Sequence, residues 1–144
     1  MKTIYVFMSE MDNSTTICNP LSELKRLLAV LPKSCPIYVM GGFALDGHLG
    51  KLTRKHNDVD LICWRKDVNI IKKVLERIGY KVREKYDKNN PKLPILLETD
   101  EENPAMDVKI IDEQPNNSFT FHFNTPGQQI FSKKMLGSSQ VSLD

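Results

Sequence analysis

Cysteine is scarce: Cys18, Cys35 and Cys63 form an odd, scattered set without a Cys-x-x-Cys pair. That fits reduced thiols in the cytosol better than a disulfide framework and argues against a structural zinc site. No stretch approaches transmembrane length. The apolar run Met1 to Met8 is short, meets Glu10 and Asp12 at once and lacks the small-residue cleavage pattern of a secretory signal. The expected location is cytoplasmic, with no membrane partner. A basic stripe is missing too, because the 20 basic and 18 acidic residues are interleaved and leave a formal charge of +2. Composition therefore gives no support for a nucleic-acid partner. There is no internal repeat and no low-complexity tract. What is present, 40% apolar and 26% charged residues in a chain of 144, suits one domain with a single core. We read one domain over residues 1–144, with residues 1–18 as an N-terminal arm.

Along the chain, Thr3 to Met8 has strand character but is interrupted by the polar cluster Asp12 to Thr16. Asn19-Pro20 reads as a cap and first position of a helix whose leucines, Leu21, Leu24, Leu27, Leu28 and Leu31, recur at helical spacing up to Pro32. Ile37 to Met40 is β-prone and stops at Gly41-Gly42. Phe43 to Leu49 then makes a short helix closed by Gly50. After a polar basic loop, Asp58 to Trp64 alternates as a strand, with Val59 and Leu61 facing opposite to Asp58 and Asp60. Asp67 is expected to cap an amphipathic helix carrying Val68, Ile71, Leu75 and Ile78 and ending at Gly79. Strands are expected over Tyr80 to Tyr86, Leu93 to Glu98 and Ala105 to Ile111, the last two forming a hairpin, with a turn over Asp87 to Lys92. Asn116-Asn117 makes a turn before Ser118 to Phe123. Gln128 to Leu136 reads as a weak helix or irregular segment.

Asp58 and Asp60, two apart on a strand, leave the same face with Cα atoms roughly 6.5 to 7 Å apart. Both carboxylates can reach one small cation. Mg²⁺ takes hard oxygen ligands, keeps several waters and is commonly held by one or two carboxylates together with substrate phosphates, so the pair suits a nucleoside triphosphate. Asp107 is the expected third carboxylate, since Met106, Val108 and Ile110 alternate to the other face of its strand; Asp112, at the strand's end, is the alternative. Gly41-Gly42 allows a tight turn whose following helix start offers free N–H groups to an anion, a phosphate seat. Lys51 and Arg54, between that turn and the Asp pair, would neutralise the triphosphate tail or leaving pyrophosphate, and His56 would add a hydrogen bond. Taken singly, each of these features is ordinarily structural. Asp-x-Asp is often a solvated strand edge, Gly-Gly a turn, Asp46 a helix residue bonded to local backbone or a loop cation, and Tyr38, Phe43 and Trp64 core or pocket wall. Their order within one short stretch is what carries the reading.

The stretch Tyr38 to Cys63 resembles the aminoglycoside 2''-adenylyltransferase and lincosamide nucleotidyltransferase group. Gly41, Gly42, Phe43, Ala44, Leu45 and Asp46 match its glycine motif, then come Gly50, then Thr53 and Arg54, then His56, Asp58, Val59 and Asp60. Phe43 stands where the group typically has tryptophan. More loosely, the likeness runs from about Leu21 onward. It implies an α+β, polymerase-β-like nucleotidyltransferase fold, a mixed β-sheet flanked by helices. It also implies metal binding and catalysis by Asp58, Asp60 and Asp107, with Asp107 sharing a metal or acting as base, and two Mg²⁺ ions. Gly41, Gly42, Lys51, Thr53, Arg54 and His56 would line the nucleotide.

The expected activity is Mg²⁺-dependent transfer of a nucleoside monophosphate, AMP, from a triphosphate to a hydroxyl of a small molecule such as an aminoglycoside or lincosamide antibiotic. The alternatives are a nucleotidyltransferase acting on protein or RNA, as in toxin–antitoxin systems, and a catalytically silent nucleotide-binding module. Because the helices that usually follow in the group are missing after Asp144, we expect a short or truncated member, or one that completes its acceptor pocket by forming a homodimer.

Overall fold

Leucines at helical spacing behind a proline at the first position make Pro20–Val30 a helix, α1, whose Leu24, Leu27 and Leu28 are buried. Strand β1, Ile37–Met40, runs without an intervening residue into helix α2, Gly41–Leu49. The helix thus opens at Gly41, two residues before its expected start. Strand β2, Asp58–Trp64, follows, then a 3-10 turn over Arg65–Asp67 and helix α3, Val68–Arg77. The computed structural model describes residues 20–49, 53–100, 105–122 and 129–136, apart from the side chains at 21, 43 and 48. The expected N-terminal strand, the Asn19 cap, Cys18, Gly50 and Lys51 lie outside the described residues, as does the Phe43 side chain.

Asp67 holds the cap position of α3 but does not act as its side-chain cap. Its backbone is already helical, at φ −99° and ψ −5°, and its side chain makes no cap bond. A capping side chain reaches the first free N–H groups from an extended backbone. Here the preceding 3-10 turn instead buries the carboxylate beside the Cys35 thiol, which burial and then the Asp67 charge push up to about 11. Gly79 does end α3: at φ +106° its N–H reaches the Glu76 carbonyl and the Tyr80 N–H the Leu75 carbonyl.

Strands β3 (Val82–Tyr86), β4 (Pro94–Thr99), β5 (Ala105–Gln114), β6 (Ser118–Phe121) and β7 (Gln129–Ser132) complete a mixed, seven-stranded sheet. Its order is β1-β2-β5-β4-β3, with β6 on β5 and β7 on β6. Among the described residues only β2 and β5 pair in parallel; the other pairs are antiparallel, including the expected β4–β5 hairpin. The α+β class is as expected. In the loop before β4, Asp87 Oδ1 accepts from the Asn89 and Asn90 N–H groups, so an Asx turn reverses the chain. β5 runs on to Gln114 because Asn116 and Asn117, at φ 61° and 54°, turn it into a tight hairpin with β6.

Gln129–Ser132 is a strand and Lys133–Leu136 a 3-10 turn, where a weak helix or irregular segment was expected. Pairing with β6 and the stacking of Phe131 on Phe119, centroids 5.7 Å apart, outweigh the local propensity.

The sheet separates two apolar clusters. On the helical side Leu24, Leu27, Val59, Leu61, Ile71, Leu75, Met106 and Val108 pack together; each side chain so buried stabilises the fold by about 1.5 to 3 kcal/mol. On the other side Ile62, Ile111, Phe119 and Phe121 form a smaller cluster with Trp64 and Phe131 against it. Among the described residues no helix is long and apolar enough to cross a membrane.

Candidate active site

Strand alternation does the first sorting. Val59, Leu61 and Cys63 enter the helical core, so Asp58 and Asp60 emerge on the opposite face, Asp58 exposed and Asp60 half-buried. The parallel register then places Asp60 beside Asp107, with Asp58 beside Ala105. Val108 pairs with Leu97 and Lys109 with Leu96, and one further step of that register brings Glu98 next to Asp107. A row of acidic side chains, Asp60, Asp107 and Glu98, thus crosses three strands on one face. Burial holds the Asp107 carboxyl above its usual range, and the charges of Asp60, Glu98 and Asp58 push the same way while Lys109 opposes them. Glu98 in turn pairs with Lys85 at 2.5 Å.

Glu98 was absent from the sequence-based set. Its signal was there: in Pro94–Thr99, Ile95, Leu97 and Thr99 are buried and Glu98 alternates away from them. Only the β4–β5 register, however, sets it beside Asp107.

The glycine turn closes the other end of the row. Met40 is the β1 partner of Asp60, and Gly41 follows at φ +72°, a conformation costly for any residue with a Cβ. A Cβ on Gly41 would stand 2.9 Å from Asp60 Oδ2, so the missing side chain is also what lets Asp60 lie against the start of α2. At Gly42 a Cβ would meet Arg54 Nη2 and His56 Cε1, each at 2.7 Å. The Arg54 guanidinium and the α2 N-terminus, two features that attract anions, therefore share one corner with Asp60.

Thr53 and His56, expected beside the nucleotide, both turn to Asp46. Thr53 Oγ1 donates to Asp46 Oδ1 and His56 Nε2 to Asp46 Oδ2, each at 2.5 Å, with His56 and Asp46 buried. Hydrogen bonds from Thr53 and His56 hold the Asp46 carboxyl below its usual value against the effect of burial. Asp112, the alternative third carboxylate, lies away from the acidic row. It projects from the opposite face of β5, takes a paired hydrogen bond from Arg65 and lies 2.7 Å from His122 Nε2, so both its oxygens are occupied. Tyr38 and Trp64 share the face of the acidic row, the Trp64 Nε1–H donating to the Tyr38 hydroxyl at 3.3 Å.

Hard carboxylate oxygens on one face, with like charges that raise the proton affinity of Asp107, suit a divalent cation. Among the described residues no three His, Cys, Asp or Glu side chains converge into a ready-made metal cage. The donors present, a few hard oxygens on one face, fit an ion that keeps its own waters and is completed by substrate oxygens.

Among curated relatives, a 2''-aminoglycoside nucleotidyltransferase of Escherichia coli is 35% identical over 63 residues, 44% of this chain and 36% of the relative. One of Klebsiella pneumoniae is 34% identical over 61 residues, 42% of this chain and 34% of the relative. The matched part thus spans about a third of the length of these relatives. Among solved structures, the lincosamide antibiotic adenylyltransferase LnuA, lincomycin-bound, has a TM-score of 0.60 at 24% identity, covering 85% of this chain and 72% of its own. ANT(2")-Ia in complex with adenylyl-2"-tobramycin has a TM-score of 0.54 at 22% identity, covering 67% and 52%. These likenesses establish a shared fold. The profile of the aminoglycoside-2''-adenylyltransferase family matches residues 23–113. Because that match covers more than half of the sequence and includes the glycine turn, both β2 carboxylates and Asp107, the chain belongs to the aminoglycoside-2''-adenylyltransferase family.

Proposed function

We propose that this chain binds a nucleoside triphosphate with Mg²⁺ and serves the transfer of a nucleoside monophosphate, AMP, to a hydroxyl of an aminoglycoside or lincosamide antibiotic. The observation that carries this reading is the register pairing of Asp60 with Asp107, with Asp58 on the same face and the start of α2 against Asp60. Family membership supports the reaction type. The solved relatives support the acceptor class and the donor, since one is lincomycin-bound and the other holds adenylyl-2"-tobramycin.

Asp58, Asp60 and Asp107 would hold the metal, as two ions in the full reading. Bound there, Mg²⁺ supplies positive charge to the attacking and leaving oxygens of an in-line displacement. Arg54 and the free N–H groups of Gly41 and Gly42 would take the negative charge of the phosphates. Lys51, from the same loop, is proposed for the same task. Asp107 has the raised proton affinity that suits accepting the hydroxyl proton, provided the acceptor lies within hydrogen-bond reach. Thr53 and His56 would shape the nucleotide corner from their places on Asp46.

The test is calorimetry of ATP, GTP, CTP and UTP with and without Mg²⁺, followed by transfer of labelled nucleotide to aminoglycosides, lincosamides, total RNA and protein. We expect Mg²⁺-dependent ATP binding, label on an antibiotic, and loss of transfer in Asp58→Asn and Asp60→Asn. Absence of metal-dependent nucleotide binding would sink the proposal. Label on RNA or protein would move it to another acceptor class, and binding without any transfer would leave a nucleotide-binding module.

A further inference from the structure

Asp46 is 1% exposed, and both its oxygens are used by side chains from the loop that follows α2. An ionised carboxylate so deeply buried is tolerated only when its oxygens are satisfied, so the bonds from Thr53 and His56 are required by its burial. Each Asp46 oxygen thus already accepts from a side chain of the loop that follows α2, and neither partner belongs to the acidic row. The effect of these bonds on the chain is geometric. Residues 53 and 56 are pinned to α2, and Arg54 lies between the two pins. Its own residue is exposed, yet its guanidinium rests against Gly42, with Nη2 2.7 Å from the position a Cβ would take. The His56 ring lies against the same glycine.

An arginine side chain carries about 2 kcal/mol of rotamer entropy, part of which is lost whenever the guanidinium must be held in one place. A loop anchored on both sides of the arginine meets part of that cost before any ligand arrives, which is how preorganisation raises affinity. We infer that Asp46 is a positioning residue: by holding Thr53 and His56 to α2 it keeps Arg54 at the Gly41–Gly42 turn, where the triphosphate is received. This rests on the proposed nucleotide-binding function. It assigns to Asp46 a task distinct from that of the metal-site carboxylates, and gives Thr53 an indirect part in binding.

The experiment uses the full chain and ATP with Mg²⁺ as the calorimetric probe, comparing wild type, Arg54→Ala, Thr53→Ala, Thr53→Ser, Asp46→Ala and the pair Thr53→Ala with Arg54→Ala. Loss of one charge-assisted contact should weaken ATP binding about tenfold in Arg54→Ala. Thr53→Ala should weaken it in the wild-type background and add nothing once Arg54 is gone, while Thr53→Ser, which keeps the hydroxyl, restores affinity. Asp46→Ala should behave like Thr53→Ala or worse; if it fails to fold, the Thr53 series still decides. Amide exchange over residues 53–57 of the nucleotide-free protein should rise in Thr53→Ala. An effect of Thr53→Ala that persists undiminished beside Arg54→Ala would overturn the inference, as would an unchanged ATP affinity or unchanged exchange in Thr53→Ala. If wild type and Arg54→Ala are equally unable to bind ATP, the nucleotide-binding function itself has failed and this inference falls with it. That outcome differs from one in which Arg54 matters and Thr53 acts independently.

Discussion

Asp60 and Asp107 stand opposite each other in the parallel β2–β5 pair, two carboxylates from strands separated by forty residues of sequence. With Glu98 on the far side and Asp58 nearby, they concentrate negative charge on one sheet face. In the nucleotide-free, metal-free protein this costs stability.

The first prediction concerns that cost. Because the Asp107 carboxyl sits above its usual value in the folded state, its contribution to stability is fully present below the ordinary carboxylate pKa and is lost as pH rises through the raised one. Asp107→Asn should therefore raise the thermal midpoint at pH 7 and flatten its fall between mildly acidic and neutral pH. Mg²⁺ should raise the wild-type midpoint and do so less in the variant. A lower midpoint for Asp107→Asn at pH 7 contradicts the charge argument.

Gly41→Ala places a Cβ at φ +72° and 2.9 Å from Asp60 Oδ2. The left-handed backbone alone costs about 1 to 2 kcal/mol, and Asp60 must shift as well. We expect that loss in urea unfolding together with weaker Mg²⁺ binding. Gly42→Ala should instead displace Arg54 and His56, weakening ATP binding more than Mg²⁺ binding.

At the other end of the sheet, Arg65 donates to Asp112 and, at 2.7 Å, to the Pro94 carbonyl, tying the end of β2 to β4 and β5. Burial would raise the Asp112 carboxyl, but the Arg65 and His122 hydrogen bonds outweigh it and hold it below its usual value. Arg65→Ala should cost about 1 to 3 kcal/mol in urea unfolding at pH 7. A depressed carboxyl gives stability above its unfolded pKa that is lost as pH falls through the folded one, so the gap between variant and wild type should narrow in acid. A gap constant with pH would remove Asp112 from the account.

Phe119 is 2% exposed and contacts Trp64, Phe121 and Phe131, so it secures β6 and β7 to the rest of the sheet. Phe119→Ala should destabilise by about 3 to 5 kcal/mol. Hydrogen exchange should show the loss first in Gln129–Ser132, ahead of the strands β2 and β5.

Much of the site could be read in one dimension because its parts are close in sequence. Gly41, Gly42, Thr53, Arg54, His56, Asp58 and Asp60 lie within twenty residues, and strand alternation alone sets both aspartates on the face opposite Val59 and Leu61. Asp107 was found by the same alternation. The roles were less legible than the positions. His56 and Thr53 carry polar groups that suit a phosphate equally well, and only the folding of α2 against the following loop turns them to Asp46. Asp67 looked like a cap until a 3-10 turn gave it helical backbone angles.

What the sequence by itself determined is the set of local structures whose causes are local. These are the leucine-faced α1, the glycine turn, the alternating β2, the Gly79 stop and the order of motifs that marks the family. Tertiary structure decided what depends on partners distant along the chain: that Asp60 meets Asp107, that Glu98 joins them, that Asp112 is taken by Arg65 and His122, and that Gln129–Ser132 is a strand. The physical reason is that periodicity chooses the face a side chain occupies, whereas its neighbour on that face is chosen by strand order and register. Those are set by the burial of the two apolar clusters as a whole.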